Sequence, residues 1–212
     1  MKHLRAFFLQ EDEQTFKKGA VILHQGETGG EVSYITDGFV KAYTIADDGD
    51  EKLLSILGPG DVMNLQAAFF SDTTHRYYYE AMTDGSLRSM PADQLEKQIE
   101  KNPAALFGLV RYVLTWNDEL SQTLDNILQA KADIKLVNYL ALLVERFGQE
   151  VRDGIVTLPF PLSHVQLASM VGTTRETMTV QVRHLSRKGV LKTNKSCFEI
   201  NLEKLREMTD VE

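Results

Sequence analysis

The chain has 212 residues, of which 43% are hydrophobic and 25% charged, a balance that excludes gross disorder and suits two modest domains. It contains no apolar run near the roughly 18 residues of a membrane span, no signal-peptide pattern and only one cysteine, Cys197. We therefore expect a soluble, cytoplasmic protein with no membrane partner, no disulfide framework and no thiolate metal cluster.

Charge is unevenly distributed along the chain. The net charge is −7, and residues 1–131 alone hold 12 Lys and Arg against 20 Asp and Glu. Residues 163–195 reverse this balance, with six basic side chains and the single acidic Glu176. A compact basic patch on an acidic protein indicates contact with a polyanion such as DNA, although a solvated basic helix face remains an alternative.

Short extended segments separated by glycine fill residues 15 to 90. Asp-Gly pairs at Gly38 and Gly49, each between apolar segments, predict β-hairpins, because glycine adopts positive φ at little cost. Strands at about ten-residue spacing are typical of a sandwich, jelly roll or barrel rather than of a βαβ sheet.

A long helix is predicted after Asn102, which fits an N-cap, and Pro103, which fits the first helical turn. Its apolar positions follow a heptad repeat that predicts a parallel dimer helix. Asn117 is the one polar residue of the repeat, and it can fix the register of the two helices. The alternative is a helix that packs on its own β domain. The predicted dimer positions are Leu106, Val110, Val113, Asn117, Leu120, Leu124 and Ile127.

Two helices joined by a glycine turn are predicted between residues 163 and 188. Ser163 fits the N-cap of the first helix, Gly172 ends it, and Thr173-x-x-Glu176 is a capping-box pattern for the second. This spacing is that of a helix-turn-helix, with a helical hairpin that binds protein as the rival interpretation. Helical periodicity predicts three buried positions in the second helix, Met178, Val182 and Leu185.

The outward face of the second helix is the predicted DNA contact. Arg175 and Glu176 lie at its N-terminus, where side chains reach bases: arginine can donate to guanine O6 and N7, and glutamate can accept from cytosine N4. Residues 191–200 resemble a β-hairpin wing with basic side chains at its tip. The full predicted set is Thr173, Thr174, Arg175, Glu176, Thr179, Val180, Arg183 and Lys195.

Several motifs occur in a fixed order along the whole chain. They are Phe16-Lys17-Lys18-Gly19, Gln25-Gly26-Glu27, Tyr34-Ile35-x-x-Gly38, Gly49-x-Glu51, Gly60-Asp61, Leu167-Ala168-x-x-Val171-Gly172-x-Thr174-Arg175-Glu176-Thr177, Leu185 and Gly189-Val190-Leu191. In this order they resemble the Crp/Fnr superfamily of bacterial transcription regulators. The resemblance implies an α+β fold: an N-terminal double-stranded β-helix (a cyclic-nucleotide-binding-like β-roll), a long dimerisation helix and a C-terminal winged helix-turn-helix.

The sensor region departs from the members of this superfamily that bind cyclic AMP. Asn64-Leu65 stand where those members carry Gly-Glu, and His75-Arg76 lie near their Arg-Ser pair, so the effector is unknown and cyclic AMP is disfavoured. An iron–sulfur cluster is disfavoured because the N-terminus has no cysteine cluster, and haem because His75 is a lone candidate ligand. The predicted effector-pocket residues are Asn64, Leu65, His75, Arg76 and Tyr77.

The second helix of the helix-turn-helix, which would be the recognition helix, also departs from many relatives. They have a second arginine where this chain has Val180. Valine cannot donate a hydrogen bond to guanine but can pack on the methyl group of thymine, so we expect a distinct DNA half-site.

The leading functional hypothesis is a homodimeric, sequence-specific regulator that reads palindromic double-stranded DNA with helix 174–188. A small-molecule effector would switch it, and RNA polymerase is the expected partner. We expect an effector-sensing β-roll in residues 1–102, a dimerisation helix in 103–131 and a winged-helix domain in 132–212. The alternative is a cyclic-nucleotide-binding module without DNA readout. An enzyme or metal site is disfavoured because the five histidines are scattered, namely His3, His24, His75, His164 and His184.

Overall fold

The computed structural model describes residues 2–47, 49–70, 74–128, 132–194 and 197–209. These residues fall into two compact units, divided between Asn117 and Asp118. Within the described ranges, no helix is long and apolar enough to cross a membrane.

Two four-stranded antiparallel sheets build the first unit. One has the strand order β1-β8-β3-β6 and the other β2-β7-β4-β5. The strands are β1 (Glu13–Phe16), β2 (Val21–Leu23), β3 (Glu31–Asp37), β4 (Val40–Ile45), β5 (Glu51–Leu57), β6 (Val62–Met63), β7 (Tyr78–Ala81) and β8 (Gly85–Pro91). This arrangement confirms the predicted β-roll.

The two Asp-Gly turns of this unit have different roles. The turn at Gly49 joins β4 to β5, which pair with each other, so this hairpin is confirmed. The hairpin predicted at Gly38 is wrong, because β3 pairs with β6 and β8 while β4 pairs with β5 and β7. Gly38 instead carries the chain from one sheet to the other, at a φ of +81°.

The alternation of β3 supplies both hydrophobic clusters of this unit. Ile35 faces the inter-sheet core, together with Val40, Leu57 and Leu87 from other strands. Val32 and Tyr34 face the opposite side of the sheet, where helices cover them. These are α1 (Lys2–Phe8), a short 3₁₀ helix (Leu65–Ala68), α2 (Ala92–Glu100) and the start of α3 (Pro103–Leu128).

Helix α3 begins as predicted, with the side chain of Asn102 accepting a hydrogen bond of 3.1 Å from the backbone of Ala105. One face of the helix contributes Leu109 to the helix-covered cluster of the first unit. Another face is exposed, and we call it the α3 seam. Its residues are Leu106, Val110, Val113, Asn117, Leu120 and Leu124. Ile127 is half-buried instead, whereas Leu128 is 75% exposed.

The second unit is a winged helix-turn-helix. Its sheet has the strand order β11-β12-β10-β9, and every pairing is antiparallel. Its elements, after the end of α3, are α4 (Ala132–Phe147), β9 (Gln149–Arg152), β10 (Ile155–Thr157), α5 (His164–Val171), α6 (Arg175–Arg187), β11 (Leu191–Asn194), β12 (Cys197–Asn201) and α7 (Leu202–Thr209).

Candidate DNA-binding surface and effector site

The first helix of the helix-turn-helix, α5, has a complete capping box. The Ser163 hydroxyl accepts from the backbone N–H of Gln166 at 3.1 Å, and the Gln166 side chain accepts from the backbone N–H of Ser163 at 2.9 Å. Each bond satisfies a donor that a helix N-terminus would otherwise leave unpaired. The predicted serine cap is therefore confirmed.

The turn between α5 and α6 corrects one prediction. The N-cap of α6 is Thr174, whose hydroxyl accepts from the backbone N–H of Thr177 at 3.2 Å. The capping box predicted for Thr173 and Glu176 is therefore wrong. Thr173 still belongs to the preceding turn, because its backbone N–H donates to the carbonyl of Ala168 at 2.9 Å.

Three apolar side chains anchor α6 and leave its other face open. Met178, Val182 and Leu185 are buried, as the periodicity predicted. The exposed residues from the predicted DNA-contacting set are Thr174, Arg175, Glu176, Val180 and Arg183, whereas Thr173 and Thr179 are half-buried. Lys195 lies outside the described residues. The structure thus brings the predicted base-reading side chains together on the N-terminal half of one helix.

The arginines of α6 are available to an external anion. Arg175, Arg183 and Arg187 are all exposed. Among the described side chains, no ion pair engages any of these three arginines. An exposed guanidinium group of this kind can neutralise a phosphate group.

His164, which no sequence pattern marks as functional, joins the two helices. It is the first residue of α5, and its Nδ1 atom lies 3.0 Å from the Thr179 hydroxyl oxygen on α6. The same hydroxyl donates to the backbone carbonyl of Arg175 at 2.9 Å. A contact between side chains on two different helices cannot be read from the periodicity of either helix.

Asn64 occupies a conformation that usually favours glycine. Its φ of +55° is the only positive value recorded for a non-glycine residue in the described chain, and asparagine tolerates it better than most side chains. Its buried side-chain amide donates to the carbonyls of Glu31, at 2.8 Å, and Gly29, at 3.3 Å. Asn64 therefore anchors the segment that contains Gly29 to the strand β6.

Tyr79 is buried behind Asn64. Burial raises the pKa of the Tyr79 hydroxyl to about 12, while a hydrogen bond from the backbone of Asn64 acts in the opposite direction. The phenol is consequently neutral at physiological pH and serves as an internal hydrogen-bond partner.

The side chains of His75 and Asn64 both lie next to Gly29. The imidazole is 5% exposed, and neither ring nitrogen has a hydrogen-bond partner in the described part of the chain. A Cβ atom on Gly29 would lie 2.5 Å from His75 Nε2, so only glycine leaves room for this ring.

The other predicted pocket residues have different surroundings. Leu65 packs against the helix-covered cluster, Tyr77 packs against the inter-sheet core, and Arg76 is exposed. Only Asn64 and His75 of the predicted effector set therefore converge on one point, Gly29.

Two family models match the chain. The model of the cyclic nucleotide-binding domain matches residues 13–102, and that of the Crp-like helix-turn-helix domain matches residues 134–208. Together they span most of the sequence. The second match favours a DNA-binding regulator over a nucleotide-binding module without DNA readout.

Relatives that match most of the chain agree with this architecture. The chain is 25% identical to the global nitrogen regulator of Nostoc sp. over 89% of this chain and 84% of the relative. It is also 25% identical to the CRP-like cAMP-activated global transcriptional regulator of Mycobacterium tuberculosis, over 82% and 77% of the two chains. The solved structure of FixK2 from Bradyrhizobium japonicum shares the fold, with a TM-score of 0.78, 20% identity and coverage of 95% of this chain and 98% of that one.

Proposed function

The chain belongs to the Crp/Fnr superfamily, whose members are transcription regulators and not enzymes, and on that basis we propose that it acts as a homodimer on palindromic DNA. The observation that carries this proposal is the open face of α6. Arg175 and Glu176 stand exposed at its N-terminus, while Met178, Val182 and Leu185 hold the helix from behind. A recognition helix presents its N-terminal side chains to base edges in this way.

A second copy of the chain is the proposed occupant of the α3 seam. Leu120 is 51% exposed and Leu124 is 59% exposed, a costly arrangement for large apolar side chains in water. The 4-3 spacing of the seam is that of a two-stranded coiled coil, and Asn117 in its middle would fix the register. Regulators of the Crp/Fnr superfamily often dimerise, which agrees with this assignment.

A dimer of this kind would present two α6 helices to successive major grooves, about 34 Å apart, and hence to a palindromic site. Arg175 and Glu176 would read a G·C pair or pairs, as guanine and cytosine groups match their donors and acceptors. Val180 would contact a thymine methyl. Thr173, Thr174 and Arg183 would bind phosphates, and the wing carrying Lys195 would add a further phosphate contact.

The proposed effector site centres on Asn64 and His75. Leu65 stands where the members that bind cyclic AMP carry a glutamate, whose carboxylate accepts from the ribose hydroxyl, and leucine has no such group. Here its side chain packs against an apolar cluster. We therefore expect a small-molecule effector other than cyclic AMP, although one relative is named as cAMP-activated. Binding of the effector would change the spacing between the two α6 helices and so the affinity for DNA. The DNA-bound dimer would then contact RNA polymerase in the cytoplasm and so regulate transcription.

Selection from random DNA, combined with native mass spectrometry, tests the proposal. We expect a dimer and an enriched palindrome with half-site centres about 10 base pairs apart. Arg175→Ala should bind the selected site more weakly while it keeps its fold and its dimeric state. A monomer in the mass spectrum would contradict the assignment of the seam, and failure to enrich any sequence would contradict specific DNA readout.

A further inference from the structure

The hydroxyl group of Thr179 makes two hydrogen bonds inside the protein. It donates its one hydrogen to the backbone carbonyl of Arg175, one helical turn earlier, at 2.9 Å. Its oxygen also lies 3.0 Å from His164 Nδ1 on the neighbouring helix. Since the hydroxyl hydrogen is already used, the oxygen acts as the acceptor in this second bond and His164 Nδ1 must carry a hydrogen.

This double engagement changes what Thr179 can offer to DNA. A free threonine hydroxyl can donate to or accept from several base edges and so discriminates poorly among them. With its hydrogen and one of its two lone pairs used, the hydroxyl can no longer donate to a base, so the methyl group becomes the more important part of the side chain for an external contact. Val180 follows directly and is 60% exposed, so two apolar groups stand one turn beyond Arg175 and Glu176.

We propose that His164 is a specificity-determining positioning residue: by holding the Thr179 hydroxyl, it leaves the Thr179 methyl group and Val180 as an apolar surface that reads thymine methyl groups. The inference rests on the proposed function and adds the Thr179 methyl group, held in place by His164, to the thymine contact proposed for Val180. His164 itself touches no base in this mechanism. It acts through Thr179.

Replacement of thymine by deoxyuridine tests the idea, because this change removes the methyl group and alters no Watson–Crick hydrogen bond. The probe is the site selected from random DNA, with each thymine of one half-site replaced in turn by deoxyuridine. Wild-type protein should lose affinity about fourfold for each methyl group that it buries, as expected for one apolar carbon. Two thymine positions should respond, one contacted by Thr179 and one by Val180.

Substitutions at position 179 separate the methyl group from the hydroxyl. Thr179→Ser keeps the hydroxyl and lacks the methyl group, so it should no longer discriminate thymine from deoxyuridine at the first position. Thr179→Val keeps a methyl group and lacks the hydroxyl, so discrimination should persist. Val180→Ala should abolish the response at the second position alone.

The role of His164 is tested by combination. His164→Ala should reduce the thymine-to-deoxyuridine affinity ratio at the first position toward one in the Thr179 background. It should have no such effect in the Thr179→Val background, because no hydroxyl is left to release. A purely structural role of His164 would lower affinity for both probes equally and leave the ratio unchanged, which would overturn the proposal.

Two further outcomes are distinguishable. If no sequence is enriched from random DNA, the proposed function fails and this inference fails with it. If a specific site is found but the wild-type protein binds the thymine and deoxyuridine probes equally at the position assigned to Thr179, this inference is overturned while specific DNA readout stands. Thermal unfolding of each variant controls for loss of folding. If His164→Ala does not fold, His164→Phe, which keeps a ring and lacks the Nδ1 donor, takes its place in both backgrounds, with the same expected ratios.

Discussion

Gly172 and Ile127 face each other at close range: a methyl group on Gly172 would lie 3.2 Å from Cγ2 of Ile127. Gly172 is the turn residue of the helix-turn-helix and has a φ of +65°, and Ile127 is the next-to-last residue of α3. Both belong to the second unit. The C-terminal end of α3 therefore packs directly against the turn that orients the recognition helix.

Gly172→Ala should destabilise the protein more than Gly154→Ala does. Both glycines have nearly the same positive φ, +65° and +66°, so alanine meets a similar backbone penalty of about 1 kcal/mol at each. A Cβ on Gly154 has no atom within 4 Å, whereas a Cβ on Gly172 presses on Ile127. Urea unfolding of the two variants measures the difference, which we expect to be about 1 kcal/mol.

A double-mutant cycle assigns that difference to Ile127. In the Ile127→Ala background, Gly172→Ala should cost no more than Gly154→Ala, because the opposing side chain has been shortened. An unchanged extra cost in that background would place the strain in the backbone alone.

Ile127 also shows where a heptad pattern loses its predictive value. A straight α-helix drifts by about 20° per heptad from a 3.5-residue repeat. Over the three heptads that follow Leu106, this drift turns Ile127 toward its own unit, and Leu128 takes the exposed position. The sequence pattern therefore predicted the seam up to Leu124, and packing against Gly172 decides its end.

The helix-turn-helix was predictable because its determinants are local. The Ser163 cap, the Gly172 turn and the buried positions of α6 all depend on residues within a few turns of one another. The passage of the chain from one sheet to the other at Gly38 was not predictable, and neither was the contact between His164 and Thr179. Each depends on segments that only the folded chain brings together. Helix α2 was missed, although Leu95 and Ile99 have helical spacing and both are buried.

Tyr79→Phe should alter how stability depends on alkaline pH. The folded-state pKa of Tyr79 is raised from 10.0 to about 12, so the folded protein retains this proton where the unfolded chain loses it. The stabilisation is complete below pH 10 and is lost as the pH rises from 10 toward 12. Near pH 11 the loss is about 1 kcal/mol by linkage.

At pH 7 the same variant should be less stable than wild type by about 1 kcal/mol, since the backbone of Asn64 loses its hydrogen-bond partner. The two effects oppose each other, so the stability difference should approach zero near pH 11. Urea unfolding at both pH values measures this difference. Ile35→Val is the control, because it removes one buried methylene-sized group and no ionisable group, and its cost should not change with pH.

Leu120→Glu should dissociate the dimer. The substitution removes two large apolar side chains from a symmetric seam and brings two carboxylates together, at a cost of at least about 3 kcal/mol. We expect a dimerisation constant weakened more than a hundredfold in sedimentation equilibrium. Thr115→Glu is the control, as Thr115 is exposed on α3 but lies outside the seam. Equal effects of both substitutions would argue against the seam as the interface.

Arg175→Ala and Arg183→Ala should weaken DNA binding in different ways. Loss of the Arg175 guanidinium removes base contacts, so affinity for the selected site should fall by about 1–3 kcal/mol and one base position should become degenerate.

Arg183→Ala removes a phosphate contact, so it should weaken binding to all sequences alike. The slope of log K against log salt concentration should then fall by about 1. Arg206→Ala is the matched control, because Arg206 is also exposed, on α7, but lies outside the helix-turn-helix. Fluorescence anisotropy with specific and random duplexes, measured from low to moderate salt, separates these effects. A uniform loss with a reduced salt slope for Arg175→Ala would reassign that arginine to the DNA backbone and leave Glu176 and Val180 as the base-reading side chains.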